Sequence, residues 1–206
     1  MGTLYCSACR HAVPLVLPPV CPRCGRPQPR VEPCARCAAH PLQIAGIRSV
    51  ALFEGTLRKA IHEFKYRYVR ELAVPLGDLL VAAWPGLLLP VDVILPVPLH
   101  ARRSRARGYN QAALLAERFG RELGIPVVDD ALIRHRNTPS QTRLDAAGRR
   151  RNVSGAFSCK SSSVAGRRVL LIDDVCTTGS TVEACGVALQ AGGAQSVWAL
   201  TLACAH

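Results

Sequence analysis

Apolar residues along this chain form short runs and longer stripes, and the two patterns alternate. The runs at Ile47–Phe53, Val91–Leu95, Val169–Ile172 and Ser196–Leu202 have the length and composition of buried strands, with a shorter candidate at Leu132–Arg134. The stripes have helical spacing. Leu57, Ala60, Ile61, Phe64 and Tyr68 share one face of a helix whose other face carries Lys59, Lys65 and Arg67. His62 lies beside that stripe and reads as a surface or half-buried histidine rather than a base. A second helical stretch runs from Glu71 to Trp84, with Pro75 tolerable only in its first turn. A third, Tyr109–Leu123, aligns Ala112, Leu115, Phe119 and Leu123. A fourth aligns Val182, Cys185, Gly186 and Leu189 before Gly192-Gly193 stops it. Strands alternating with helices predict an α/β domain.

Neither pattern holds in the first forty residues. Prolines at 14, 18, 19, 22, 27, 29 and 33 rule out long elements there. Six of the ten cysteines sit in this stretch as three Cys-x-x-Cys pairs, Cys6/Cys9, Cys21/Cys24 and Cys34/Cys37. A two-residue gap lets both thiolates of a tight turn face one ion, and two pairs complete a tetrahedral zinc site. Six thiolates exceed what one zinc takes. Cys21/Cys24 with Cys34/Cys37 is the compact choice, Cys6/Cys9 with Cys21/Cys24 has a ribbon-like spacing, and the sequence leaves the choice open. Cys159, Cys176, Cys185 and Cys204 are scattered and read as small apolar fillers. The shift in composition near Pro41 divides the chain into a zinc-binding module, 1–40, and an α/β domain, 41–206.

Charge adds a partner class. The chain of 206 residues carries 26 Lys and Arg against 14 acids, a formal balance of +12, which favours polyanions such as nucleic acid or polyphosphate. Aromatic residues are scarce, with Tyr66, Tyr68 and Tyr109 the few candidates for base stacking. No secretory signal is visible, and the most apolar segment, Leu79–Pro90, is short and broken by Pro85 and Gly86. A cytoplasmic protein with reduced thiols and no membrane span is expected.

Candidate chemistry concentrates at Val169–Thr181, VLLIDDVCTTGST. Asp173 and Asp174 follow a buried strand, and Cys176–Thr181 is a hydroxyl-rich turn that opens into a helix. Ligands of open α/β sheets bind outside the carboxyl ends of strands, and a helix N-terminus favours anions. The acids suit hydroxyl or metal contacts and the turn suits a phosphate, so a sugar phosphate satisfies both. A nucleotide P-loop fits poorly, because no lysine follows Gly179. Two Arg-rich segments complete the picture. Arg102, Arg103, Arg105 and Arg107 are read as a loop after the Val91–Leu95 strand, which the chain leaves at Pro96, and 134–151 is read as a long basic loop, either a functional lid or disordered.

IDDVCTTGST resembles the ribose-5-phosphate loop of type I phosphoribosyltransferases. Together with PVPLHARRSRARGYNQAALLA, TPSQTRLDAAGRRRNVSGAF and the N-terminal pairs including CPRCG, it resembles the ComF family of competence proteins, in order and along essentially the whole chain. One departure is that members often carry four cysteine pairs. The resemblance implies a type I phosphoribosyltransferase-like parallel sheet flanked by helices, behind an N-terminal zinc module. It implies that Asp173 and Asp174 meet the ribose hydroxyls of phosphoribosyl pyrophosphate and its Mg2+. Thr177, Thr178, Gly179, Ser180 and Thr181 then wrap the 5-phosphate, Arg102, Arg103 and Arg107 meet the pyrophosphate, and Arg143 lies in the lid. The implied role is in natural transformation, on or near incoming single-stranded DNA and with other competence proteins. The alternative is an active phosphoribosyltransferase of nucleotide salvage or a regulatory relative, and the residues leave open whether catalysis occurs.

Overall fold

The computed structural model describes residues 5–136, 146–160 and 162–205. Four parallel strands form the central sheet, β1 (Gly46–Leu52), β2 (Val93–Pro96), β5 (Arg168–Cys176) and β6 (Ser196–Cys204), in the order β1-β6-β5-β2. A separate antiparallel pair joins β3 (Leu132–Arg134) to β4 (Phe157–Cys159), so the short third strand lies outside the main sheet.

The strands read as largely apolar runs because both faces are covered. Side chains alternate along β5. Leu170 and Ile172 join a core with α3 (Gly55–Tyr66), α4 (Ala73–Ala83) and α6 (Gln111–Leu123), while Val169 and Leu171 join a core on the other face with α8 (Ser180–Ala191). The crossover after β2 therefore packs on one face and the crossover after β5 on the opposite face. β2 and β5 are neighbours, and a topological switch point lies between their carboxyl ends.

Four details differ from the pattern-based reading. Ala101–Arg107 is a helix, α5, and not a loop. Alanine and arginine are good helix formers, the His100 ring accepts the Arg102 N–H at 3.2 Å, and Gly108, at φ 72°, ends the helix. Part of the basic lid is also helical, α7 (Ala146–Val153). Pro96 stays in β2 as its last residue, tolerable because this strand forms only a single bridge on its far side, between Ile94 and Val127. Tyr68 is not on the stripe of α3, which ends at Tyr66; it adopts φ 60° and stays exposed.

The Cys-rich segment, with α1 (Ser7–His11) and α2 (Ala35–Ala39), covers the outer edge of β1. Leu15 bridges Ala51 in antiparallel fashion, and the Val16 and Leu52 N–H groups bond to Val50 and Pro14. The Arg23 guanidinium donates to the carbonyls of Leu42, Ile44 and Ala45, and Cys21 and Cys37 pack in one core with Ile44 and Ile47. Gly25, at φ 68°, lies so close to β1 that a Cβ there would stand 2.7 Å from the Ile47 carbonyl oxygen.

Candidate functional site

A cavity of about 430 Å³ opens at the switch point. The end of β2 forms one wall, the β5–α8 turn another, and α3 and the start of α6 complete it.

Asp173 and Asp174 sit within β5, which runs four residues past the apolar run to Cys176. Strand alternation sends the two carboxylates to opposite faces. Asp174, 6% exposed, is paired at 2.8 Å with Lys65 Nζ from α3. Burial disfavours the Lys65 ammonium, but the charge and hydrogen bond of Asp174 outweigh it and raise its pKa overall. Asp173 continues the face that carries α8. Its carboxylate accepts the Asp174 N–H at 2.9 Å, and burial, then the charge of Asp174, push it up to about 7. Both acids line the one small cavity.

The turn from Thr177 to Thr181 borders the same space. Gly179 takes φ 75° and stands as the N-cap of α8 with no capping side chain. A Cβ there would come within 2.7 Å of Ile47 Cδ1, so position 179 is held to glycine by backbone and by packing. Thr178 and Ser180 hydroxyls are 2.8 Å apart. Hydroxyls, the first-turn N–H groups and the helix dipole converge on one point suited to an anion.

Four arginines, Arg58, Arg103, Arg107 and Arg134, also line the cavity. Arg107 lies 5.3 Å over the Tyr66 ring and donates to Gln111 Oε1 at 2.6 Å. Arg134 stacks on Phe157, and burial, then the charge of Arg103, hold its pKa below the ordinary arginine value. Like charges converging on one space are relieved by a bound anion. Arg102 lies on the exposed side of α5, outside the cavity lining, and Arg143 falls outside the described residues.

The second constellation lies in the Cys-rich segment. The sulfurs of Cys21, Cys24, Cys34 and Cys37 all fall within 4.8 Å of one another. Four sulfurs about 2.3 Å from one tetrahedral ion stand about 3.8 Å apart, and the Cys24 and Cys34 sulfurs are 3.7 Å apart. Burial opposes ionisation of Cys21, yet N–H groups of Cys24, Cys34 and Arg23 hold its thiol down at about 6, ready to act as a thiolate. The compact pairing left open by the sequence is the one brought together. Cys6 and Cys9 lie apart from it, at the start of α1.

Residues 107–206 match the phosphoribosyl transferase domain family. Over 204 residues the chain is 37% identical to the DNA utilization protein YhgH of Escherichia coli O157:H7, covering 95% of this chain and 88% of that protein. It is 33% identical to Competence protein F of Haemophilus influenzae, over 96% of this chain and 90% of that protein. The chain belongs to the ComF family. Competence protein ComFC of Bacillus subtilis is 29% identical to it over 96% of this chain and 82% of its own. Among solved structures, the glutamine phosphoribosylpyrophosphate amidotransferase of B. subtilis superposes with a TM-score of 0.45 at 21% identity, over 63% of this chain and 26% of that one.

In this ComF protein the cavity residues that the sequence reading missed include Arg58, Lys65 and Gln111. Lys65 looks like part of a solvated face of α3, and its partner comes from a distant strand. Gln111 follows the N-cap Asn110, which accepts the Ala112 N–H at 3.1 Å. That cap was the available signal, since it fixes Gln111 as the first helical residue, at the end facing the ligand.

Proposed function

We propose that this protein is a natural-transformation factor that binds phosphoribosyl pyrophosphate in the β2–β5 cavity and acts on or near incoming single-stranded DNA in the cytoplasm. The observation that carries this reading is the convergence, on one cavity, of an acid pair, a hydroxyl-rich helix-start turn and four arginines, in a chain related along its length to competence and DNA utilization proteins. Thr177, Thr178, Gly179, Ser180 and Thr181 take the 5-phosphate. Asp173 and Asp174 accept the ribose hydroxyls, and Arg103, Arg107 and Arg134 neutralise the pyrophosphate. Magnesium, held by the acid pair, would supply positive charge against the pyrophosphate. Asp173 is the better carboxylate for it, because Asp174 already has Lys65 as its counter-ion. Zinc sits in the Cys21, Cys24, Cys34, Cys37 cluster and holds residues 1–40 as a module against β1.

The net charge of +12 supports a single-stranded DNA partner. Of the stacking candidates, Tyr66 and Tyr68 are 57% and 60% exposed, whereas Tyr109 is buried with its hydroxyl donating to the Phe64 carbonyl, which leaves the first two for bases. Among the described residues no helix is long and apolar enough to cross a membrane. The test is calorimetric titration with phosphoribosyl pyrophosphate and Mg2+, together with transformation frequency in an Asp173→Ala/Asp174→Ala strain. Saturable binding and a transformation defect are expected; absence of both overturns the reading. The second reading, a transferase that joins the ribose 5-phosphate to a nitrogen nucleophile, is favoured by the intact turn. Release of labelled pyrophosphate with some nucleobase decides for it.

A further inference from the structure

Gln111 is almost fully enclosed, at 2% exposure, yet its Nε2 has no hydrogen-bond partner among the described residues. A buried amide donor left unpaired is costly, and protein interiors rarely keep one without a use for it. Its surroundings point to that use. Gln111 is the first residue of α6 and lines the cavity between Arg107 and the end of β2. Arg107 Nη1 lies 2.6 Å from the side-chain oxygen. A guanidinium has only donors to offer, so the amide atom facing it must be Oε1. The orientation of the carboxamide is thereby fixed, and the NH2 group is turned away from Arg107. Arg107 is itself held by stacking over Tyr66. Asn110, which caps α6 and donates through Nδ2 to the Val97 carbonyl at 3.0 Å, fixes the backbone from which Gln111 springs.

We propose that Gln111 is a ligand-binding residue whose Nε2 donates to an oxygen of the anionic group gathered by Arg103 and Arg107, with Arg107 acting as the clamp that sets the amide orientation. The inference rests on the phosphoribosyl pyrophosphate reading and assigns Gln111 to the pyrophosphate end. That end is chosen because the partner of Gln111 is Arg107 of α5, assigned above to the pyrophosphate, and not a residue of the Thr178–Ser180 turn. A ligand that offers only a sugar 5-phosphate engages the turn and leaves Nε2 unsatisfied. An arginine supplies charge but accepts nothing, so the Gln111 pairing also keeps Arg107 in place before the anion arrives.

Two substitutions separate this role from a merely structural one. Gln111→Glu keeps an acceptor for Arg107, converts the contact to an ion pair and removes the donor. Gln111→Met removes donor and acceptor together at nearly constant volume. Wild type and both variants are titrated by calorimetry with phosphoribosyl pyrophosphate, inorganic pyrophosphate and ribose 5-phosphate, and melted without ligand. Each variant should weaken both pyrophosphate ligands by about tenfold or more, the glutamate most, and change ribose 5-phosphate affinity by less than about twofold. The methionine variant without ligand should melt higher by about 2–4 °C, because an unsatisfied buried donor has been removed. Equal or tighter pyrophosphate binding by Gln111→Glu overturns the inference and leaves Gln111 as a prop for Arg107. Loss of all three ligands to the same degree overturns it too. Failure of the wild-type protein to bind any pyrophosphate ligand instead removes the reading on which the inference stands, and the inference with it.

Discussion

The cysteine cluster lies against β1 and the cavity at the carboxyl ends of β2 and β5, and the two are organised in opposite ways. Four sulfurs of the cluster lie within 4.8 Å, drawn from a stretch of fewer than twenty residues. The cavity gathers α3, α5, α6, β3, β5 and the β5–α8 turn around about 430 Å³, with its charges spread along the walls. A single ion needs donors at one point. An extended anion needs donors at several, and these must come from elements that only a finished sheet brings together. On the proposed reading, one region depends on its ligand to fold, and the other folds first and then binds.

Removing the cluster is the strongest way to break that contrast. Cys21→Ser, or chelation, removes a contribution on the order of 10 kcal/mol to folding the segment around it. Metal analysis should fall from about one zinc per chain to none. Hydrogen exchange should lose protection between residues 20 and 40 while β5 and β6 stay protected. Uniform loss over the whole chain would show that the two regions fold as one unit.

On the cavity side, Asp174→Ala leaves the Lys65 ammonium without its partner and should cost about 3 kcal/mol in urea unfolding. Lys65→Met/Asp174→Leu, which removes both charges, should recover most of that. Zinc content should not change in either variant.

A pH series sharpens the comparison further. The folded-state pKa of Asp173 is raised to about 7, above its unfolded value near 4. Between those values the folded state binds the extra proton, so this group makes stability fall as pH rises from about 4 to about 7. Asp173→Asn should flatten that slope and stabilise the metal-free protein at pH 7 to 8. An unchanged slope would mean Asp173 is ionised throughout.

The smallest effect is expected at the turn. Thr178→Val removes the hydroxyl contact to Ser180 and should cost about 1 kcal/mol in stability.

What was legible in the sequence follows the same division. Local chemistry was readable: the Cys-x-x-Cys spacing, the apolar runs, and the Asp173–Thr181 stretch at a strand's carboxyl end. Interactions between distant segments were not. Lys65 sits on the polar side of an amphipathic stripe, and nothing in its neighbourhood announces Asp174. Choosing among three cysteine pairs required knowing that Cys21 and Cys37 share a core with Ile44 and Ile47. The α5 helix was misjudged because four arginines in seven residues look solvated, although the same residues cover a helix surface well. Arg103 and Arg107 face the cavity and Arg102 does not, and only the periodicity of a helix makes that distinction.

Ile47 lies between the two regions. Its side chain packs in one core with Cys21 and Cys37, and its Cδ1 fills the space that a side chain at Gly179 would need. The consequence concerns which substitutions this chain can accept. One side chain at position 47 must suit two unrelated neighbours at once. A saturation library scored separately for zinc retention and for ligand binding should return position 47 in both lists, although the residue is neither a cysteine of the cluster nor part of the cavity lining. Ile47→Val, which shortens the arm toward Gly179 and keeps the branched part of the side chain, should move the second score and spare the first.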